Sequence, residues 1–86
     1  MRVYIILVIS VLLNSRETKI YKVFCDKEIA RIHMRLRAYH LFKMNREVDS
    51  EHEWEIQKIN NDFYYLYTIG ESISYSVKVA EFKCEQ

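Results

Sequence analysis

Eighty-six residues suffice for one domain and exclude a second within this chain. Half of them are hydrophobic and twelve are aromatic, and with one glycine and no proline the composition predicts order over most of the length and excludes a glycine-rich phosphate loop. The formal charge of +1 hides a segregation: residues 1–46 hold ten Lys or Arg against three acids, giving +7, and residues 47–86 hold three lysines against nine acids, giving −6. Such asymmetry points to an anionic partner on one face or to head-to-tail self-association, unless the two halves neutralise each other inside the fold.

The chain opens on Met1-Arg2 and an apolar run from Val3 to Leu13. The run is too short for a membrane span, which takes about 20 residues, and Leu13-Asn14-Ser15 lacks the small-x-small pattern of a cleaved leader. A strand rich in Val and Ile is the preferred reading, with a secretory leader as the rival. Asn14 to Glu17 reads as a turn, and Lys19 to Cys25, β-branched and aromatic, as a second strand forming a hairpin with the first. Asp26 then offers an N-cap carboxylate to a helix.

From Lys27 the period changes. Ile29, Ile32, Leu36 and Tyr39 recur at spacings of three and four, which predicts a helix to about Arg46 with this stripe in the core. At 100° per residue, Arg31, Arg35 and Arg46 fall within about 60° of one another with Phe42 among them, an arginine ridge. Arg37 lies on the other flank beside His33 and His40, and Lys43 lies at the edge of the core stripe. Arginine forks bind two phosphate oxygens at once, so Arg31, Arg35, Arg37, Lys43 and Arg46 are the candidate contacts to RNA or another polyanion. A second apolar patch of Ala30, Met34 and Leu41, extended by Ala38 and Phe42, suggests a seam for a partner protein or a homodimer, with Met34, Leu41 and Phe42 as its anchors.

The acidic run Glu47 to Glu51 ends the helix. Glu53 to Ile59 alternates, giving a third strand with Trp54 and Ile56 inward, and Asn60-Asn61-Asp62 is a turn. Phe63 to Ile69 is an aromatic strand whose Tyr64 or Tyr65 and Tyr67 face outward, where bases could stack. Gly70-Glu71 is a turn, and Ser72 to Lys83 a strand with Ile73, Tyr75, Val77 and Val79 on one side; the alternation slips after Val79, for which a bulge near Val79-Ala80 or a strand buried on both faces would account. The sum is an α+β domain of order β-β-α-β-β-β, an antiparallel sheet of about five strands with one helix on one face.

No catalytic motif emerges. His33 and His40 stand about 10.5 Å apart along the helix axis, too far to share one ion, so no metal or other cofactor is expected. Glu53 and Glu55 share a strand face without the surroundings of a hydrolytic pair. Cys25 and Cys84 read as reduced thiols; in the secretory alternative they would pair.

Val23-Phe24-Cys25-Asp26-Lys27-Glu28-Ile29-Ala30 resembles the strand-to-helix passage of small bacteriophage-type proteins, an F-x-x-K-E-x-A helix start, over about a quarter of the chain. The resemblance implies an accessory protein that acts by binding, including counter-defence inhibitors of host nucleases or toxins. The expectation is therefore a non-enzymatic, cytoplasmic binding protein that engages RNA or a host nucleic-acid-processing protein through a basic helix, without membrane contact. Two rivals are a secreted, disulfide-containing interaction protein and a homo-oligomer that joins the basic helix to a neighbour's acidic half.

Overall fold

A computed structural model describes residues 1–70 and 72–84 as β1 (Arg2–Leu12), β2 (Ser15–Phe24), α1 (Lys27–Val48), β3 (Trp54–Asn60), β4 (Phe63–Thr68) and β5 (Ile73–Lys83). The five strands form one antiparallel sheet in the order β2-β1-β5-β4-β3, and α1 lies across one face, the α+β architecture predicted from the pattern.

β1 is apolar at nearly every position because it sits inside the sheet, paired with β2 on one side and with β5 along its whole length on the other. Removal of residues 1–15 as a leader would take out this inner strand. The hairpin loop is shorter than predicted. Leu12 pairs with Ser15, so only Leu13 and Asn14 make the turn, and Leu13 takes a positive φ of 54° to close it. A bulge opposite Ile6/Leu7 then kinks β2.

The β3–β4 turn falls where Asn60-Asn61-Asp62 placed it, with the Asp62 amide donating to Asn60 Oδ1 at 2.8 Å. At the next turn Gly70 supplies a φ of 96°, which its missing Cβ allows, and Glu71 lies outside the described residues. The bulge expected near Val79-Ala80 is not formed: β5 keeps register with β1 from Ile73 through Lys83. The alternation slips for another reason. Beyond Lys78 the strand outruns β4, and Ala80 and Phe82 lie on the uncovered face beside Ile5 and Val3.

Asp26 caps α1 as expected, accepting from the Ile29 amide at 3.0 Å, and the helix continues two residues past Arg46 to Val48. Its rotation differs from the sequence expectation. Ala30, Met34, Ala38 and Leu41 enter the core, where the last three meet Ile6, Tyr64, Leu66 and Val77, with Val8, Phe24, Phe42, Ile56 and Tyr75 packed around them. The stripe predicted for the core faces water instead: Ile29 is 47% exposed, Ile32 48%, Leu36 59% and Tyr39 50%.

Two physical reasons set this rotation. Lys43, expected at the edge of the Ile29–Tyr39 stripe, lies on its midline one turn beyond Tyr39, so burying that stripe would draw an ammonium in with it. The buried stripe contains two alanines, which let the helix axis come close to a sheet whose inner face carries Trp54, Tyr64 and Tyr75. Trp54 and Ile56 face inward as predicted; Trp54 stacks on Tyr75 at 5.9 Å between ring centroids.

Candidate functional site

Met34 and Leu41 cannot anchor a partner. They are 0% and 5% exposed and belong to the core, so the predicted seam through Met34, Leu41 and Phe42 is corrected. Phe42 is half-buried at the core margin and offers Arg46 one face of its ring, with the guanidinium carbon 5.3 Å from the centroid. What α1 offers to solvent is the other stripe, about 180° around the axis from the buried one. Ile29, Ile32, Leu36 and Tyr39 run along the outward ridge for about 15 Å, roughly three turns. Tyr39 makes an edge-to-face contact with the Tyr64 ring at 5.8 Å.

The predicted arginine ridge is divided between structural and free charges. Arg31 is tied down: Nε donates to Asp62 Oδ1 at 2.6 Å, Nη2 to Asp62 Oδ2 at 3.3 Å, and Nη1 to Glu28 Oε1 at 2.8 Å. The Arg31 hydrogen bonds hold the Asp62 carboxyl below the usual carboxylate range, with Lys27 adding to the effect, and Asp62 in turn raises the Arg31 guanidinium. Arg37 lies on the opposite flank, its guanidinium carbon 4.5 Å from the centroid of the Tyr21 ring, and its buried Nε finds no hydrogen-bond partner among the described residues. Arg35, Lys43 and Arg46 are exposed and enter no ion pair among the described residues. Arg35 and Arg46 lie on one flank of the outward apolar stripe, and Lys43 lies at its C-terminal end.

Beside Arg35, the helix flank and the β3–β4 end of the sheet enclose a shallow groove of about 220 Å³ whose lining includes Arg31, Ile32, Lys58, Asn61 and Tyr64. Lys58 was not singled out by the charge pattern of the helix. Its signal is parity: with Trp54 and Ile56 it occupies alternate positions of β3, which turns it toward α1 at the strand's end. At the other end of α1, Asp49 closes the helix: its amide donates to the Asn45 carbonyl at 2.8 Å, while its carboxylate takes His52 Nδ1 at 2.8 Å and Trp54 Nε1 at 3.3 Å. The hydrogen bond with His52 is the main cause that lowers the Asp49 carboxyl, so part of the acidic run serves to fasten the helix to β3.

The second face of the sheet has no covering layer among the described residues. It carries the odd-numbered residues of β1, from Val3 to Val11, next to Ala80 and Phe82. Farther across lie Phe63, Tyr65 and Tyr67, with Tyr65 and Tyr67 stacked at 5.2 Å. Tyr64 points the other way and is buried beneath α1. The cations on this face are few, Arg16 and Lys78, and Lys78 is folded over Phe63 at 4.5 Å from the ring centroid, so the aromatic row lacks the basic surround that holds a nucleic-acid backbone.

Cys25 and Cys84 are exposed free thiols. β1 separates them, so two strand spacings, about 10 Å, exceed the Cα span of a disulfide. Among the described residues no three His, Cys, Asp or Glu side chains converge on a common point, and no helix is long and apolar enough to cross a membrane. No family model, curated protein or solved structure matches the chain.

Proposed function

We propose that this protein works by binding, and that its contact surface is the outward face of α1, where Ile29, Ile32, Leu36 and Tyr39 fill a partner's apolar cleft and Arg35, Lys43 and Arg46 meet carboxylates at the rim. The observation that carries the reading is that the larger of the two apolar stripes of α1 is the one left in water, each of its four side chains close to half exposed. An apolar centre with a cationic border is the anatomy of a protein-binding surface, with arginine and tyrosine among its favoured residues. It fits a protein better than RNA, because Arg31 is already neutralised and hydrophobic side chains occupy the ground between the remaining cations.

The resemblance of the helix start to phage-type accessory proteins gives the partner a source. A host nucleic-acid-processing protein in the cytoplasm, inhibited through an acidic cleft, is the proposed target. Metal-dependent nucleases present such carboxylates. No chemistry is assigned to the protein itself.

Capture from host cytosol after nuclease treatment, comparing wild type with Leu36→Asp and Arg35→Glu, tests this directly. A protein retained by wild type, lost with Leu36→Asp and weakened with Arg35→Glu supports the reading once the purified pair reproduces that order. Retention that nuclease abolishes, or that Leu36→Asp leaves intact while Arg35→Glu removes, would assign α1 to RNA instead.

A further inference from the structure

We propose that the uncovered face of the sheet is a homodimer interface, in which β1 of one copy packs antiparallel across β1 of the second, with Leu7 at the twofold axis. The proposal concerns the side of the sheet opposite α1 and goes beyond the helix-face reading.

Counting every second residue of β1 gives Val3, Ile5, Leu7, Ile9 and Val11, which reads the same from either end. A twofold axis through Leu7 places Leu7 against its own copy, Ile5 against Ile9 and Val3 against Val11. Each large side chain therefore meets an equal one, which is the self-complementarity an isologous contact requires. A heterologous partner imposes no such symmetry.

Charge and area agree with the same occupant. An eleven-residue strand rises to about 37 Å and five strands spread over about 24 Å, so even with the shorter β3 and β4 the face approaches the roughly 800 Å² per partner of a stable interface. Along β1 its facing residues are all uncharged. Arg16 and Glu55 lie toward the margins, and Lys78, the β5 neighbour of Leu7 beside the proposed axis, carries its ammonium over Phe63 on the side away from β1. The β2 edge is a poorer docking line, since it carries Lys19, Lys22 and a bulge, devices that resist strand addition. Two such sheets stacked face to face about 10 Å apart would bury β1 on both sides, which a strand apolar at nearly every position calls for.

Sedimentation over a wide concentration range, with Cys25→Ser and Cys84→Ser introduced to remove other thiols, decides the matter together with three further changes. Wild type is expected at twice the chain mass, and Leu7→Lys at the chain mass with an unchanged far-ultraviolet spectrum. Leu7→Cys is expected to be joined to its copy by a short bifunctional thiol reagent that bridges the roughly 10 Å between stacked sheets, whereas Thr18→Cys, displaced from the axis on the edge strand, is not. Should Leu7→Lys fail to fold, the cross-link at position 7 decides alone. A monomer at every concentration, a dimer that Leu7→Lys leaves intact, or Leu7→Cys that cross-links no faster than Thr18→Cys would each overturn the proposal.

Discussion

Arg31 is held from two sides, by Asp62 at 2.6 Å and by Glu28 at 2.8 Å, and this sorts it from the other arginines of α1. The Asp62 carboxyl titrates lower in the fold than in the unfolded chain, so its contribution to stability is present above the unfolded value and is lost as pH falls through the folded one. Asp62→Asn should therefore reduce stability at neutral pH and flatten its decline below about pH 4, as urea midpoints across an acid series would reveal. An unchanged acid limb would mean that the pair contributes nothing. Leu13 stands at the opposite extreme, 76% exposed and bound to a left-handed backbone that a γ-branched side chain tolerates poorly. Leu13→Asn, which accepts that conformation, is expected to stabilise the hairpin by about 0.5 kcal/mol, measured by denaturant midpoint.

At the scale of the element, α1 has two apolar faces, and its sequence contained the means of telling them apart. Helix start, cap and approximate end followed from Asp26 and the change of period at Lys27, and the strand faces followed from alternation in β3 and β5. Rotation did not follow, because side-chain bulk favoured Ile29, Ile32 and Leu36. The deciding facts were Lys43 on the midline of that stripe and the small volumes of Ala30 and Ala38, whose worth depends on the aromatic sheet opposite them. The division of the arginines was equally hidden, since Asp62 is distant in sequence and reaches Arg31 only once the β3–β4 turn is folded. If the rotation is as described, Met34→Ala costs about 2–4 kcal/mol through the cavity it leaves, whereas Leu36→Ala costs less than about 0.5 kcal/mol. Chemical denaturation of the two variants side by side distinguishes the stripes, and equal losses would contradict the assignment.

Across the whole molecule, the charge segregation is only partly resolved inside the fold. Arg31–Asp62 and Arg2–Glu81 join the two halves, while Lys19–Glu17, Arg31–Glu28 and Asp49–His52 are local. Free cations are left along α1 and free carboxylates around its C-terminal loop, so the surface keeps a polarity suited to a charged partner. β1 fixes a further global property by standing between Cys25 and Cys84. Exposure to oxidant should leave the chain without an internal disulfide, and an intact mass lacking two hydrogens would contradict the strand order. A dimer joined through the sheets would hold two copies of α1 facing outward on opposite sides, giving a bivalent binder whose avidity exceeds that of one face.

All of this depends on which side of α1 faces water, and thiol reactivity measures that most directly. In a chain carrying Cys25→Ser and Cys84→Ser, Leu36→Cys should react with a thiol reagent nearly as fast as a cysteine in an unfolded peptide. Met34→Cys should react only as fast as the protein opens. The reverse order, with position 34 fast and position 36 protected, would contradict the outward apolar face and the binding function built on it.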